Sequence, residues 1–116
     1  MLRLLAALFA LVSTASAAHP FLCCDYGGGK VCVVSAEGKI EWQWDCKSPQ
    51  DCWKLPNGNY LFCFVSGALE VTPDKKIVWE YKAPTDVKVE VHSCQPLPDG
   101  NVMIVECGTS RIIEVD

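Results

Sequence analysis

The chain has 116 residues, 50% of them hydrophobic, and a formal net charge of −4 at pH 7. Its lysines and arginines form no cluster that could neutralise the phosphates of nucleic acid or the head groups of anionic lipid. Nucleic-acid binding and binding to anionic membranes are therefore disfavoured. Beyond the N-terminal segment, no apolar run approaches the roughly 18 to 20 residues that a membrane-spanning helix needs.

The N-terminal segment, MLRLLAALFALVSTASA (1–17), has the organisation of a secretory signal peptide. Arg3 provides a positive start, a short apolar run follows it, and small residues lead to Ala17. We expect cleavage after Ala17, with Ala18 as the alternative site, and a secreted or periplasmic product. Losing Arg3 leaves nine basic residues against fourteen acidic ones, a balance of −5.

The first group of predicted strands occupies about 19–45. The three glycines of YGGGK are expected in a hairpin, because KVCVV after them reads as a strand, whereas a phosphate-binding loop needs a following helix. Adjacent Cys23 and Cys24 are expected on opposite faces of a strand, since successive strand residues alternate. The group ends with SAEGKIEWQW, which contains Trp42.

The second group, at about 46–83, begins with QDCWKLPNGN and ends with TPDKKIVWEY. Asn-Gly between two apolar runs predicts a tight hairpin, because both residues tolerate a positive φ. TPDKKIVWEY superposes on SAEGKIEWQW, which places Trp79 on Trp42. The second group therefore ends as the first one does.

The third group, at about 90–116, repeats the hairpin turn. LPDGN follows LPNGN after forty-two positions, which places Gly100 on Gly58 and Asn101 on Asn59. The LPxGN turn and the tryptophan-containing segment are thus each repeated with a period near 40. This period indicates one repeating unit of four short antiparallel strands, which is the blade of a β-propeller.

The predicted fold is therefore all-β: an incomplete β-propeller over 18–116, with about two and a half blades after the signal peptide. Propellers close with roughly four to eight blades, so we expect this chain to be the N-terminal part of a longer one. Missing blades or further copies of the chain would cover its apolar end faces. The alternative is a free-standing disulfide-rich all-β protein, since so small a core is marginal by itself.

All eight cysteines follow the signal peptide, at positions 23, 24, 32, 46, 52, 63, 94 and 107. An even number in an exported chain favours disulfide bonds, whose connectivity the sequence does not determine. The paired Cys-x2-Cys spacing of a zinc site is absent, so no metal is predicted.

Two motifs resemble known propellers. GKIEW and KKIVW resemble the end of the tryptophan-docking motif of quinoprotein (PQQ-like) propellers, in which the tryptophan packs between blades. HSCQPLPDGN resembles the H-D-x-Q-x-L-P-x-G-N strand of arylsulfotransferase-like propellers, with Ser93 in place of Asp. Its sister QDCWKLPNGN keeps Asp51 but has Gln50 in place of His.

The resemblance implies a site at the start of the innermost strands. In arylsulfotransferase-like propellers, histidines at the start of these strands line the pocket, and one of them acts on the transferred sulfuryl group. The resemblance would therefore make His92 catalytic. An imidazole suits transient nucleophilic or acid–base work. His92, Gln50 and Asp51 are the predicted ligand-binding residues. The alternative is a partly exposed histidine that is hydrogen-bonded at a strand end.

The predicted function is that of a secreted β-propeller module that binds a small molecule or extracellular ligand, or serves as a scaffold, without a cofactor. The alternative is the N-terminal part of an arylsulfotransferase-like or PQQ-dependent enzyme. Enzymatic activity is not expected of this segment alone, because Arg111 is the only arginine left for sulfate oxygens after the signal peptide is removed.

Overall fold

A computed structural model describes residues 19–116, so the predicted signal peptide lies outside the described residues. Ten strands in this range form three antiparallel sheets, and the range contains no helix. No helix there could therefore cross a membrane. Three consecutive sheets of short strands agree with the predicted all-β architecture.

The sheets follow one another along the chain. Sheet A contains β1 (Phe21–Asp25), β2 (Lys30–Val34) and β3 (Ile40–Asp45) in that order. Sheet B contains β4 (Pro49–Lys54), β5 (Tyr60–Phe64), β6 (Gly67–Val71) and β7 (Ile77–Lys82). Sheet C contains β8 (Glu90–Pro96), β9 (Val102–Cys107) and β10 (Arg111–Val115).

The strands of the three sheets correspond to one another through the repeat. Superposing Trp42 on Trp79 places β3 on β7, and the same shift places β2 on β6. β1, the neighbour of β2, therefore corresponds to β5. The LPxGN alignment places β8 on β4 and β9 on β5. Sheet A thus contains equivalents of the second to fourth strands of sheet B, and sheet C contains equivalents of the first three.

The repeated LPxGN sequence produces the same turn twice. The Gly58 amide donates to the Leu55 carbonyl at 3.0 Å, and the Gly100 amide donates to the Leu97 carbonyl at 3.1 Å. Both glycines have a positive φ, 91° and 96°. Residues with a Cβ disfavour this conformation, so the glycine of the motif is a requirement of the turn.

The asparagine of each turn ties the hairpin to the next strand. Asn59 donates through its side-chain amide to Glu70 on β6 at 2.6 Å, and Asn101 donates to Glu114 on β10 at 2.6 Å. The motif therefore fixes three strands, because the turn joins two of them and the amide holds the third.

The core lies in two layers, one on each face of sheet B. Along β5, Tyr60 and Phe62 face sheet A, whereas Leu61 and Cys63 face sheet C. This alternation follows from the two-residue period of a strand. All four side chains are buried, so β5 is covered on both faces. Full burial of a side chain such as Phe62 stabilises the fold by about 1.5–3 kcal/mol.

Two tryptophans connect each sheet to the following one. The Trp42 indole on β3 donates to the Pro73 carbonyl in sheet B at 3.0 Å, and its ring packs on Tyr60 with centroids 4.3 Å apart. The Trp79 indole on β7 donates to the Asp116 carbonyl at 2.9 Å. The outermost strand of one sheet is therefore bonded to the outer turn or end of the next.

Candidate functional site

The two predicted site positions Gln50 and His92 both lie at irregularities of the strand pairing. The register between β4 and β5 shifts at Gln50, and the register between β8 and β9 shifts at His92. A β-bulge turns a side chain away from the regular alternation, and bulges occur often beside binding sites. Equivalent strands therefore carry a bulge at equivalent positions, and His92 occupies the one in sheet C.

The His92 side chain lines a cavity of about 280 Å³ at the start of β8, together with Lys88, Glu90 and Cys107. Its Nε2 atom lies 3.3 Å from a carboxylate oxygen of Glu90, and both side chains are a little under half exposed. An ion pair this exposed contributes little to stability. The contact orients the imidazole while leaving it open to solvent.

Gly108 forms the opposite wall of this cavity and can only be glycine. Its φ is 96°, and a Cβ placed on it would lie 2.0 Å from the Lys88 carbonyl oxygen. The turn between β9 and β10 therefore packs directly on the backbone that leads into β8. This close approach fixes the distance between the turn and the strand that carries His92.

Asp51 joins the first strands of sheets B and C. One carboxylate oxygen accepts hydrogen bonds from the Ser93 hydroxyl at 2.8 Å and the Cys94 amide at 3.3 Å, and the other accepts the Cys52 amide at 2.9 Å. With three protein donors around it, the carboxylate bridges two strands. The predicted ligand-binding role of Asp51 stays a prediction, as does that of Gln50.

Trp53 makes a second bridge beside the first. Its indole donates to the Cys94 carbonyl at 2.5 Å, so the side chains of β4 bond both the amide and the carbonyl of Cys94. This role was not predictable from the sequence, because the equivalent strand β8 has no aromatic residue at the matching position. Together, Asp51 and Trp53 hold β4 against β8.

A buried carboxylate, Glu106, lies between sheets B and C. It accepts hydrogen bonds from the Tyr81 hydroxyl, from Thr109 at 3.0 Å, and from two nitrogens of Arg111 at 2.8 and 2.9 Å. Burial by itself raises the pKa of this carboxyl, but the hydrogen bonds from Tyr81, Arg111 and Thr109 outweigh it and hold the pKa below its usual value. Arg111 is thus committed to Glu106.

A second cavity, of about 270 Å³, lies between the two LPxGN turns. Leucine and proline side chains of both turns line it, and Asn57, Asn101 and Glu70 supply polar groups. The repeated turns lie side by side across the interface between sheets B and C. The sequence predicted the two turns but not the space between them.

Similar solved structures support the fold. A protein of unknown function from Bacteroides caccae matches 82% of this chain with 27% identity and a TM-score of 0.72, and the match spans 36% of that chain. The WD40 β-propeller domain of Doa1 matches 84% of this chain with 13% identity and a TM-score of 0.71, and the match spans 33% of that chain. The fold is that of a partial β-propeller.

The predicted propeller architecture is thereby confirmed, and the sheets are its blades. The chain spans about a third of the length of both structures. No protein-family model matches the chain, and no curated protein does. The resemblance to quinoprotein and arylsulfotransferase-like propellers therefore stays a prediction.

The arginine of the described residues, Arg111, is bonded to Glu106 and is therefore not available to the carboxylates of the quinone cofactor PQQ. Over residues 19–116, moreover, no group of three or more His, Cys, Asp or Glu side chains could hold a metal ion beside it. Arg111 is equally unsuited to the sulfate oxygens of an arylsulfotransferase substrate.

Proposed function

We propose that this protein is an exported β-propeller module that binds a small polar ligand in the cavity beside His92. The observation that carries the proposal is the bulge at His92, together with the cavity into which it opens. Export rests on the signal sequence at 1–17, and the ligand site rests on the described blades.

The cavity combines three kinds of polar group. Lys88 offers an ammonium group, Glu90 a carboxylate and His92 an imidazole. The imidazole donates and accepts hydrogen bonds when neutral and donates two when protonated. A small ligand with an anionic group would be held by the Lys88 ammonium and by a hydrogen bond from the His92 imidazole.

The test is an NMR titration of the protein with sodium sulfate and with 4-nitrophenyl sulfate. The protein has two histidines, and His19 is exposed near the start of the described chain, where it contacts the Pro20 carbonyl. Chemical-shift changes at His92, and their loss in His92→Ala but not in His19→Ala, are the expected result. Equal changes at both histidines would contradict the proposal.

The enzyme alternative is favoured by one observation, the contact of His92 with Glu90. A carboxylate that orients an imidazole is the arrangement through which histidine acts as a base or nucleophile. Transfer of sulfate from 4-nitrophenyl sulfate to a second phenol, abolished in His92→Ala, would establish the enzyme. Binding of the same compound without transfer would establish the binding module.

We also propose that the outer face of sheet C packs against a further β-sheet of the same kind. Ile112 on β10 is 69% exposed, although the equivalent strand of sheet B is buried on this side. Blades of a propeller bury such faces against their neighbours. The scaffold role follows from this packing, and its test is given in the Discussion.

A further inference from the structure

Cysteines meet in pairs across both interfaces between sheets. β1 packs on β4 and brings Cys24 beside Cys52, and β5 packs on β8 and brings Cys63 beside Cys94. The first pair belongs to the apolar layer between sheets A and B. The second pair is fully buried between sheets B and C.

The two pairs are copies of one another within the repeat. Cys24 lies opposite Val31 on β2, and Cys63 lies opposite Ala68 on β6. The shift that superposes the two docking tryptophans also superposes Val31 on Ala68, so Cys24 and Cys63 occupy equivalent positions. Their partners are equivalent through the LPxGN alignment. The same thiol pair therefore recurs at successive interfaces.

A third pair lies within sheet A. Cys23 and Cys32 are opposite one another on β1 and β2, and their sulfur atoms are 3.4 Å apart. Directly opposite residues of an antiparallel pair lie close enough for their side chains to touch. The adjacent Cys23 and Cys24 face opposite ways, so each serves a different pair.

We propose that Cys24–Cys52 and Cys63–Cys94 form disulfide bonds that join neighbouring blades, and that Cys23–Cys32 forms a third bond within sheet A. Cys46 and Cys107 then remain thiols. These bonds would form whether or not the His92 cavity binds a ligand. They assign a covalent link to each of the two blade interfaces.

Cys46 is the competing partner. It lies with Cys24 in the apolar layer between sheets A and B, and burial raises the pKa of its thiol to about 11. The repeat favours Cys52 as the partner of Cys24, because the pair Cys24–Cys52 has its copy in Cys63–Cys94. The shift that superposes Trp42 on Trp79 places Ala83 on Cys46, so a pair that includes Cys46 has no copy in the next blade.

The oxidant is a disulfide compound such as glutathione disulfide. The Cys24 thiolate attacks one sulfur atom of glutathione disulfide. One glutathione leaves as a thiolate, and the other stays bonded to Cys24 in a mixed disulfide. The Cys52 thiolate then attacks the Cys24 sulfur and releases the second glutathione. Two protein thiols lose two protons and two electrons, and one disulfide donor becomes two thiols.

The test uses the full protein, equilibrated with oxidised and reduced glutathione, alkylated with iodoacetamide in denaturant and digested with trypsin without reduction. Cleavage at Lys and Arg gives peptide 55–75, whose single cysteine is Cys63, and peptide 89–111, which contains Cys94. These two should be joined. Peptides 18–30, 31–39 and 48–54 should form a second joined set, and peptide 40–47 should be free and alkylated at Cys46.

The adjacent cysteines are separated by variants. Cys24→Ala should release peptide 48–54 and leave 31–39 joined to 18–30, whereas Cys23→Ala should do the reverse. Cys107→Ala is the control, because Cys107 is exposed and its loss should leave all joined peptides unchanged. Peptide 40–47 joined to any other, or alkylation of all eight cysteines, would overturn the assignment.

Thermal unfolding provides a second test, which does not depend on the single-cysteine variants folding well. The native protein should melt at a higher temperature without dithiothreitol than with it. The double variant Cys63→Ala/Cys94→Ala should lose part of this difference. An equal response of the native protein and the double variant to dithiothreitol would contradict the bond between sheets B and C.

Discussion

Asp51 on β4 accepts a hydrogen bond from the Ser93 hydroxyl on β8 at 2.8 Å, and the two residues occupy the same position of the repeat in neighbouring blades. This contact explains why the motif has Asp in one copy and Ser in the next. Aspartate at both positions would place two carboxylates against each other, and like charges at this distance repel.

Ser93→Asp should therefore destabilise the protein more than Ser93→Ala does. Ser93→Ala removes one hydrogen bond to a charged group, which costs about 1.5–3 kcal/mol. Ser93→Asp removes the same bond and adds repulsion. Urea unfolding of the two variants measures the difference, and equal stabilities would show that the Asp51 carboxylate is not held at this contact.

Glu106 should make stability depend on pH. Its pKa is lowered in the folded protein from the ordinary value of 4.5, so its contribution is fully present above pH 4.5 and is lost as the pH falls through the folded pKa. Glu106→Gln should cost roughly 1–3 kcal/mol at pH 7, because Arg111 and Tyr81 lose a charged acceptor.

The measurement is urea unfolding of the native protein and Glu106→Gln between pH 3 and pH 7. The difference in unfolding free energy between them should narrow toward pH 3. Glu37→Gln is a suitable control, since Glu37 is exposed in the turn before β3 and its effect should be small at every pH. A difference that stays constant across this range would refute the pH dependence.

The docking tryptophans should contribute through their indole hydrogen bonds. Trp42→Phe and Trp79→Phe keep an aromatic ring between the blades but remove the donor, so each should cost about 0.5–1.5 kcal/mol. Trp44→Phe is the matched control. The Trp44 ring also packs between sheets, on Phe62 with centroids 6.0 Å apart, but its indole nitrogen makes no hydrogen bond within residues 19–116. Thermal unfolding compares the three, and a control as destabilised as Trp42→Phe would count against the docking role.

Gly108→Ala should be more harmful than Gly58→Ala. Both glycines have φ above +90°, but a Cβ at Gly108 would collide with the Lys88 carbonyl, whereas a Cβ at Gly58 would meet open space. Strain of this φ costs on the order of 1 kcal/mol, which Gly58→Ala alone should show. Gly108→Ala should lower the stability by more than Gly58→Ala does, and it should shift the His92 resonances in NMR spectra.

Ile112→Lys should weaken any association through the outer face of sheet C. The side chain is 69% exposed, so the change should leave the thermal unfolding of an isolated chain nearly unaltered. Sedimentation of the native protein should reveal assemblies that the variant lacks. Native protein that sediments as a monomer at all concentrations would show that a second copy does not cover this face.

The sequence was sufficient to predict the repeating units because their signals are local. Gly58 and Gly100 mark turns that require a positive φ, and Trp42 and Trp79 mark equivalent strands through their neighbours. Such features depend on a few consecutive residues. The all-β propeller architecture followed from two repeated signals of this kind.

The remaining features depend on residues distant in the chain. The bulges at Gln50 and His92 arise from the register with the partner strand, which no local pattern specifies. Glu106 reads as an ordinary charged residue near a strand end, and only the fold brings Tyr81 and Arg111 to it. Charged groups are seldom fully buried unless paired, so its burial was not foreseeable from its neighbours.

The burial of β5 on both faces has a consequence for how the protein comes apart. Tyr60 and Phe62 pack on one neighbouring blade and Leu61 and Cys63 pack on the other, and all four belong to one strand of five residues. Fraying of this single strand would release both apolar layers at the same moment. The three blades should therefore unfold as one cooperative unit rather than in succession, with the β5 amides the last to exchange with deuterium.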